Sequence, residues 1–336
     1  MIQNFLNIKN SLRNLSDEEF EKVLPTLAKE LEGVSYYSNY SSDELLKDWN
    51  KLLKWNSKVD SISSTQRIGM KLCEQFFPNF YDIENKKGDS FKKLWKAQNL
   101  EKVLRWNRKS HSTPYISELK RGIYFNFKLA KSTMYRPQMA KMVVTNLGAK
   151  RVLDPCAGWG GRMMGAVAAG AEYVAFEPNT ETYNGLLKLI EFLGIGDKVR
   201  IIKDSALEMD KYDIGEFDLI LTSPPYFDLE VYSHEDTQSI KGCDTYRMWV
   251  DKFLNPLVNL SILHLKEDGW SCWNVHNVGS MKMIDDVKEI HKDYTNQKVF
   301  SVTSSKRQTN QNTTNKKNSD VTICYSKKEI EQNKFF

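Results

Sequence analysis

The sequence predicts an α/β protein: a mainly parallel sheet covered by helices on both faces, preceded by a helical domain. Three observations carry this. From about residue 150, short apolar runs alternate with amphipathic stretches, as strands joined by helical crossovers do. Two of those runs end in special turns, Asp154-Pro155-Cys156-Ala157-Gly158-Trp159-Gly160-Gly161-Arg162 and Thr222-Ser223-Pro224-Pro225-Tyr226-Phe227. Before residue 110 the apolar residues recur at helical spacing instead.

Taken in order, Ser16 with Glu19 is a capping box opening a helix through Phe20, Val23, Leu24 and Leu27. Ser41 with Glu44 repeats it before Leu45, Trp49 and Leu52. A third helical pattern starts at Thr65 and stops near Pro78, and a fourth runs from Phe91 to Trp106. Residues 1–110 therefore read as a helical accessory domain, with its tryptophans in the core. Residues 111–336 read as the sheet domain. Gly122-Ile123-Tyr124-Phe125-Asn126-Phe127 reads as a strand, and Met139–Leu147 as a short helix. Strands follow at Arg151–Leu153, Tyr173–Phe176, Val199–Ile202, Phe217–Leu221 and Gly269–Val275. Lys298–Val302 and Val321–Tyr325 read as a final antiparallel pair, which brings the sheet to seven. Ser304–Ser319 between them is polar and basic. It reads as a segment fit to fold onto phosphates, or as a plain surface loop.

Composition sets the bounds. A chain of 336 residues allows two domains with an ordinary core. The net charge of +5 is unevenly spread. Residues 86–149 hold 15 Lys and Arg against 3 Asp and Glu, while residues 150–300 hold 16 against 24. Trp95, Trp106, Tyr115, Tyr124, Phe125 and Phe127 are interleaved with the basic block, which reads as a polyanion-binding face. A lysine-rich solvated surface is the plainer alternative. No apolar run approaches the roughly 18–20 residues of a membrane helix, so no membrane partner is expected. No basic-apolar signal segment opens the chain. Cys73, Cys156, Cys243, Cys272 and Cys324 are scattered and form no C-x-x-C pair. Neither a disulfide framework nor a metal site is expected, and the expected setting is cytoplasmic.

The chemistry gathers at strand ends. Glycines just past one strand and before a helix let backbone approach a ligand. Glu177 ends the next strand, 17 residues after Gly160, where an acid accepts from ribose hydroxyls in nucleoside sites. Asp204 and Ser205 follow the third strand. No Lys follows the glycines, so the turn is not an ATP-type phosphate loop. Asp154 in the turn suits a cationic ligand. At Ser223-Pro224-Pro225-Tyr226 two prolines stiffen the strand end and withhold their nitrogens from the ladder. Rigid carbonyls beside a ring suit a planar ligand that carries an amino group. A proline-capped strand end with a core aromatic is the plain reading.

The order DPCAGWGGR at 154–162, Glu177, Asp204 and TSPPYF at 222–227 resembles the class I S-adenosylmethionine-dependent methyltransferases that modify exocyclic amines of DNA bases. The similarity covers roughly residues 120–326. It implies a Rossmann-like fold and S-adenosylmethionine as cofactor, held by Asp154, Cys156, Ala157, Gly158, Trp159, Gly160, Glu177, Asp204 and Ser205. Thr133–Lys141 resembles the segment that closes over the methionine part of the cofactor. Ser223, Pro224, Pro225 and Tyr226 would then be catalytic. The amine would donate to Ser223 and Pro224, Tyr226 would stack on the flipped base, and the amine would attack the methyl directly. Ser at the motif's first position resembles the cytosine-N4 enzymes. Adenine enzymes more often carry Asp or Asn there. The partner expected is DNA. An RNA substrate, a larger alkyl group from a modified cofactor, and an inactive nucleic-acid-binding relative stay open. Cys156 reads as a packing residue, and His234 as a surface loop residue.

Overall fold

The computed structural model describes residues 2–56, 59–129, 132–303 and 318–327. In chain order they form helices α1 (Asp17–Glu32) and α2 (Ser42–Lys54), strand β1 (Ser61–Ser63), and helices α3 (Met70–Phe76), α4 (Phe91–Leu94), α5 (Ala97–Lys109), α6 (Ile116–Asn126) and α7 (Pro137–Leu147). Then come β2 (Arg151–Asp154), α8 (Gly161–Ala168), β3 (Glu172–Phe176), α9 (Thr180–Leu193), β4 (Val199–Ile202) and β5 (Phe217–Thr222). Helices α10 (Tyr246–Trp249) and α11 (Asn255–Leu263) are joined by a π turn at Val250–Leu254. Strand β6 (Leu265–Asn274), the small hairpin β7 (Asn277–Val278) and β8 (Met281–Lys282), helix α12 (Met283–Ile290), and strands β9 (Asn296–Thr303) and β10 (Asn318–Ser326) complete it. The basic segment 304–317 lies outside the described residues. No described helix is long and apolar enough to cross a membrane.

The chain divides into two units, and the division does not fall at residue 110. One unit is Met1–Asn39, Pro78–Thr133 and Asp228–His234; the other is Tyr40–Phe77, Met134–Phe227 and Glu235–Phe336. Residues 40–77 belong with the sheet. Leu45, Trp49 and Leu52 of α2 and Leu72 and Cys73 of α3 share one core with Met139, Met163 and Leu189. Strand β1 pairs in parallel with β9. Helical periodicity says which face of a helix is buried, not what it is buried against.

In the first unit, α1, α4, α5 and α6 enclose Phe20, Leu24, Leu27, Trp95, Leu100, Leu104 and Leu119. Both halves of the Ser16–Glu19 capping box form, satisfying two of the N–H groups that a helix start leaves over. Trp95 is core, and its indole nitrogen donates to the Leu31 carbonyl at 3.2 Å. The strand expected at 122–127 is the end of α6. β-Branched and aromatic content favours a strand locally, but packing against α5 decides for helix. Val231 bridges back to Glu84, and Lys86 pairs with Asp228, so residues 228–234 are held in this unit.

The second unit is built on an eight-stranded sheet in the order β1-β9-β10-β6-β5-β2-β3-β4. Five neighbours, β6-β5-β2-β3-β4, run parallel, and β10 lies antiparallel to both β6 and β9. Helices cover both faces, the Rossmann-like arrangement. The expected seven strands are present, and β1 is the eighth. Cys272 and Cys324 face each other on β6 and β10, Cα atoms 4.0 Å apart, and are joined as a disulfide. This corrects the expectation of unpaired cysteines: 52 residues separate the two, and only strand register brings them together.

Candidate active site

Parallel strands put their carboxyl ends at one edge of the sheet, and the polar residues cluster there. Asp154 closes β2, Glu177 follows β3, Asp204 follows β4, Thr222 and Ser223 close β5, and Asn274 closes β6.

Asp154 is 0% exposed and fully engaged. It accepts from Arg162 Nε at 2.6 Å, the Tyr173 hydroxyl at 2.5 Å, Thr222 Oγ1 at 2.7 Å and the Cys156 N–H at 3.1 Å. Arg162, equally buried, also donates to the carbonyls of Cys156 and Ala157. A buried ion pair persists when further hydrogen bonds support both partners, as they do here. The acid neutralises an internal arginine, and that arginine holds the shape of the turn. Through Thr222 the same carboxylate ties the glycine turn to the Pro-Pro-Tyr strand end. Burial of the thiol pushes the Cys156 pKa up.

Gly158 has φ +56° and donates its N–H to Glu177 Oε2 at 2.9 Å. A Cβ there would meet nothing nearer than 3.7 Å, so this side of the turn has room. Gly160 differs. Its φ is +72°, but a Cβ would lie 2.9 Å from Leu189 and 3.4 Å from Phe77. Its missing side chain lets the turn pack against Leu189 of α9 and Phe77. Ala157 is buried and donates its N–H to Phe176 O at 2.9 Å, while Trp159 is half-buried against the core. The second Glu177 oxygen accepts from Asn179 N at 3.0 Å. Burial raises Glu177 to about 7, with the N–H groups of Asn179 and Gly158 opposing the shift. Asp204 is half-buried and accepts from the Tyr212 hydroxyl at 2.8 Å. Ser205 Oγ caps the short turn Ala206–Lys211 by accepting from Leu207 N at 3.3 Å.

At the end of β5, Ser223 and Tyr226 are half-buried. Ser223 Oγ donates to Asn274 Oδ1 at 3.4 Å, and the Asn274 amide is oriented by donating to Val321 O at 2.7 Å. The Tyr226 hydroxyl bonds His276 Nδ1 at 2.9 Å. Phe227 has φ +41°, a costly conformation for a bulky residue. Its buried ring, centroid 6.1 Å from both Tyr246 and Trp249, anchors the bend that follows Tyr226. Asn274 and His276 belong to no motif. The only signal for them in the sequence is their place at and just past the end of the strand next to β5. His234 is exposed, 3.4 Å from Glu84.

Residues 127–242 match the model of the family described as Conserved hypothetical protein 95. It is a family of class I S-adenosylmethionine-dependent methyltransferases. The span includes the glycine turn, Glu177, Asp204 and the Pro-Pro-Tyr strand end. Among solved structures, the chain is similar to an S-adenosylmethionine-dependent O-methyltransferase of Thermotoga maritima, at 12% identity over 62% of this chain and 71% of that one, TM-score 0.41. It is similar to a tRNA methyltransferase of Aquifex aeolicus, at 14% identity over 60% and 72%, TM-score 0.40. It is also similar to an rRNA methylase of Streptococcus thermophilus, at 12% identity over 58% and 99%, TM-score 0.38. No curated protein matches. The fold and the family match support S-adenosylmethionine as the cofactor and methyl transfer as the chemistry. The residues present fit it. The turn has room at Gly158, and carboxylates stand at the ends of the next two strands.

Proposed function

We propose that the protein methylates the exocyclic amino group of a DNA base, cytosine in preference to adenine. The observation behind this is the 2.7 Å bond from Thr222 to Asp154, which fixes the Ser-Pro-Pro-Tyr strand end to the cofactor turn. S-adenosylmethionine supplies an electrophilic methyl group on a sulfonium. Gly158 admits it, and Glu177 and Asp204 accept from its hydroxyl and amino groups. Ser223 spends its proton on Asn274 and keeps its oxygen lone pairs for the amine of the base. Pro224 adds a carbonyl acceptor on a stiff backbone. Accepting both N–H bonds draws the nitrogen lone pair out of conjugation, so these residues act by positioning and electrostatics. Tyr226 offers its ring to a base taken out of the duplex, which costs about a few kcal/mol of unstacking. Incubation with methyl-labelled cofactor and separate DNA and RNA pools, followed by nucleoside mass spectrometry, tests this. The expected product is N4-methylcytosine in DNA. Label confined to RNA, or absent while the cofactor binds, overturns it.

A further inference from the structure

In the first unit, α5 and α6 approach closely at Gly122, where a Cβ would lie 2.6 Å from Val103 and 3.1 Å from the Trp106 ring. The contact lays the Trp106 indole across α6, beside Phe125. The two ring centroids are 5.7 Å apart at 35°, and Phe125 is 67% exposed. Cations lie over Trp106 and over the neighbouring Phe127. The Arg121 guanidinium lies 5.5 Å from the Trp106 ring centroid, and the Lys102 ammonium 5.0 Å from that of Phe127. Half-buried Glu118 faces the exposed Arg121 at 3.0 Å, one turn away on the same helix.

We infer that this shelf binds a single-stranded segment of DNA, with a base stacked on Phe125 and phosphates held by Arg121 and Lys102. Ring faces accept a base only when it is free of its own stack, so a single strand fits and an intact duplex does not. The cations at these rings, Arg121 and Lys102, fit a polyphosphate chain. This rests on the reading of DNA as the substrate, and it moves the contact from the block as a whole to one face. Trp95 and Tyr124, in the same block, are turned into the core.

The test is fluorescence anisotropy on the full chain, with labelled single-stranded and duplex DNA of one sequence and a matching RNA strand. Phe125→Ala is expected to weaken single-strand DNA binding about 10-fold and to leave duplex binding unchanged. Lys102→Gln is expected to lower the salt dependence by about one ion. Unchanged single-strand binding by Phe125→Ala, equal loss on duplex, or a loss seen only with RNA overturns the inference. So does a dimer of the wild type that Phe125→Ala dissolves. Methyl labelling separates the two readings. Strand binding through Phe125 without label in any nucleoside removes the methylation reading and leaves this one. Label in DNA with an unaffected Phe125→Ala does the reverse.

Discussion

Asp154 and Ser223 close neighbouring strands of one sheet, both in conspicuous motifs, and the structure treats them in opposite ways. Asp154 is 0% exposed and accepts four hydrogen bonds from the protein. Ser223 is half-buried and makes one long bond, 3.4 Å, to Asn274. A polar group at a strand end can hold the protein's shape or hold a ligand, and its saturation tells which. By that criterion Asp154, Arg162 and Thr222 form the frame and Ser223 keeps capacity for something else, while Asp204, whose oxygens accept from Ser205 N at 2.7 Å and the Tyr212 hydroxyl at 2.8 Å, is intermediate. Glu177 lies between: each oxygen holds one backbone N–H, and the group is 7% exposed.

The largest effect should come from breaking the frame. Arg162→Met would leave the Asp154 carboxylate buried without its counter-charge, at a cost of roughly 3–5 kcal/mol. Urea denaturation measures it. Adding Asp154→Asn removes the stranded charge and should recover a good part of the loss. If the single variant is as stable as wild type, the pair does not hold the turn.

Glu177 gives the next effect, through pH. Its folded value of about 7 lies above the ordinary 4.5, with burial as the main cause and the N–H groups of Asn179 and Gly158 opposing it. Between these values the folded state binds the proton that the unfolded chain has released. Its contribution is full below about 4.5 and lost as pH rises to about 7, worth roughly 3 kcal/mol in total. The urea midpoint of Glu177→Gln should therefore gain on wild type as pH rises through this window. A constant difference between the two proteins would place Glu177 in solvent.

The difference between frame and ligand face was not legible in the sequence, although the motifs were. The strand ends at 154, 177, 204 and 222 were readable because apolar runs stop there at polar residues. The saturation of Asp154 was only half visible: Arg162 and Cys156 lie in its own motif, but Tyr173 sits on β3 and Thr222 on β5. The packing of Gly160 against Leu189 was not visible in the sequence, because nothing in the motif says what its missing Cβ faces. The helix at 116–126 was hidden by strand-like residues whose neighbours, Val103 and Trp106, lie on α5 across an intervening loop. Strand β1, three residues long, exists only through its pairing with β9, 240 residues later in the register of Ser61 with Ser301.

On the ligand face, Tyr226→Ala should lower methyl transfer about 10- to 100-fold, as loss of a stacked base would. Stability and cofactor binding should stay near wild type, because the ring is half-buried and outside the frame. Equal loss of cofactor binding would move Tyr226 into the frame.

The smallest effect concerns how that ring is held. The Tyr226 hydroxyl and His276 Nδ1 are 2.9 Å apart, and the two rings are tilted by 38° with centroids 6.4 Å apart, so the hydrogen bond fixes the ring more than stacking does. A neutral hydrogen bond is worth about 1 kcal/mol, which corresponds to about a fivefold loss of transfer for His276→Leu. Tyr226→Phe removes the same bond from the other side and should cost as much. The double variant should then cost no more than either single one, since the bond can be lost only once. If the two losses multiply instead, His276 acts on the reaction by a route other than Tyr226. Transfer rates at saturating cofactor and substrate, for the wild type and the three variants, decide between the two.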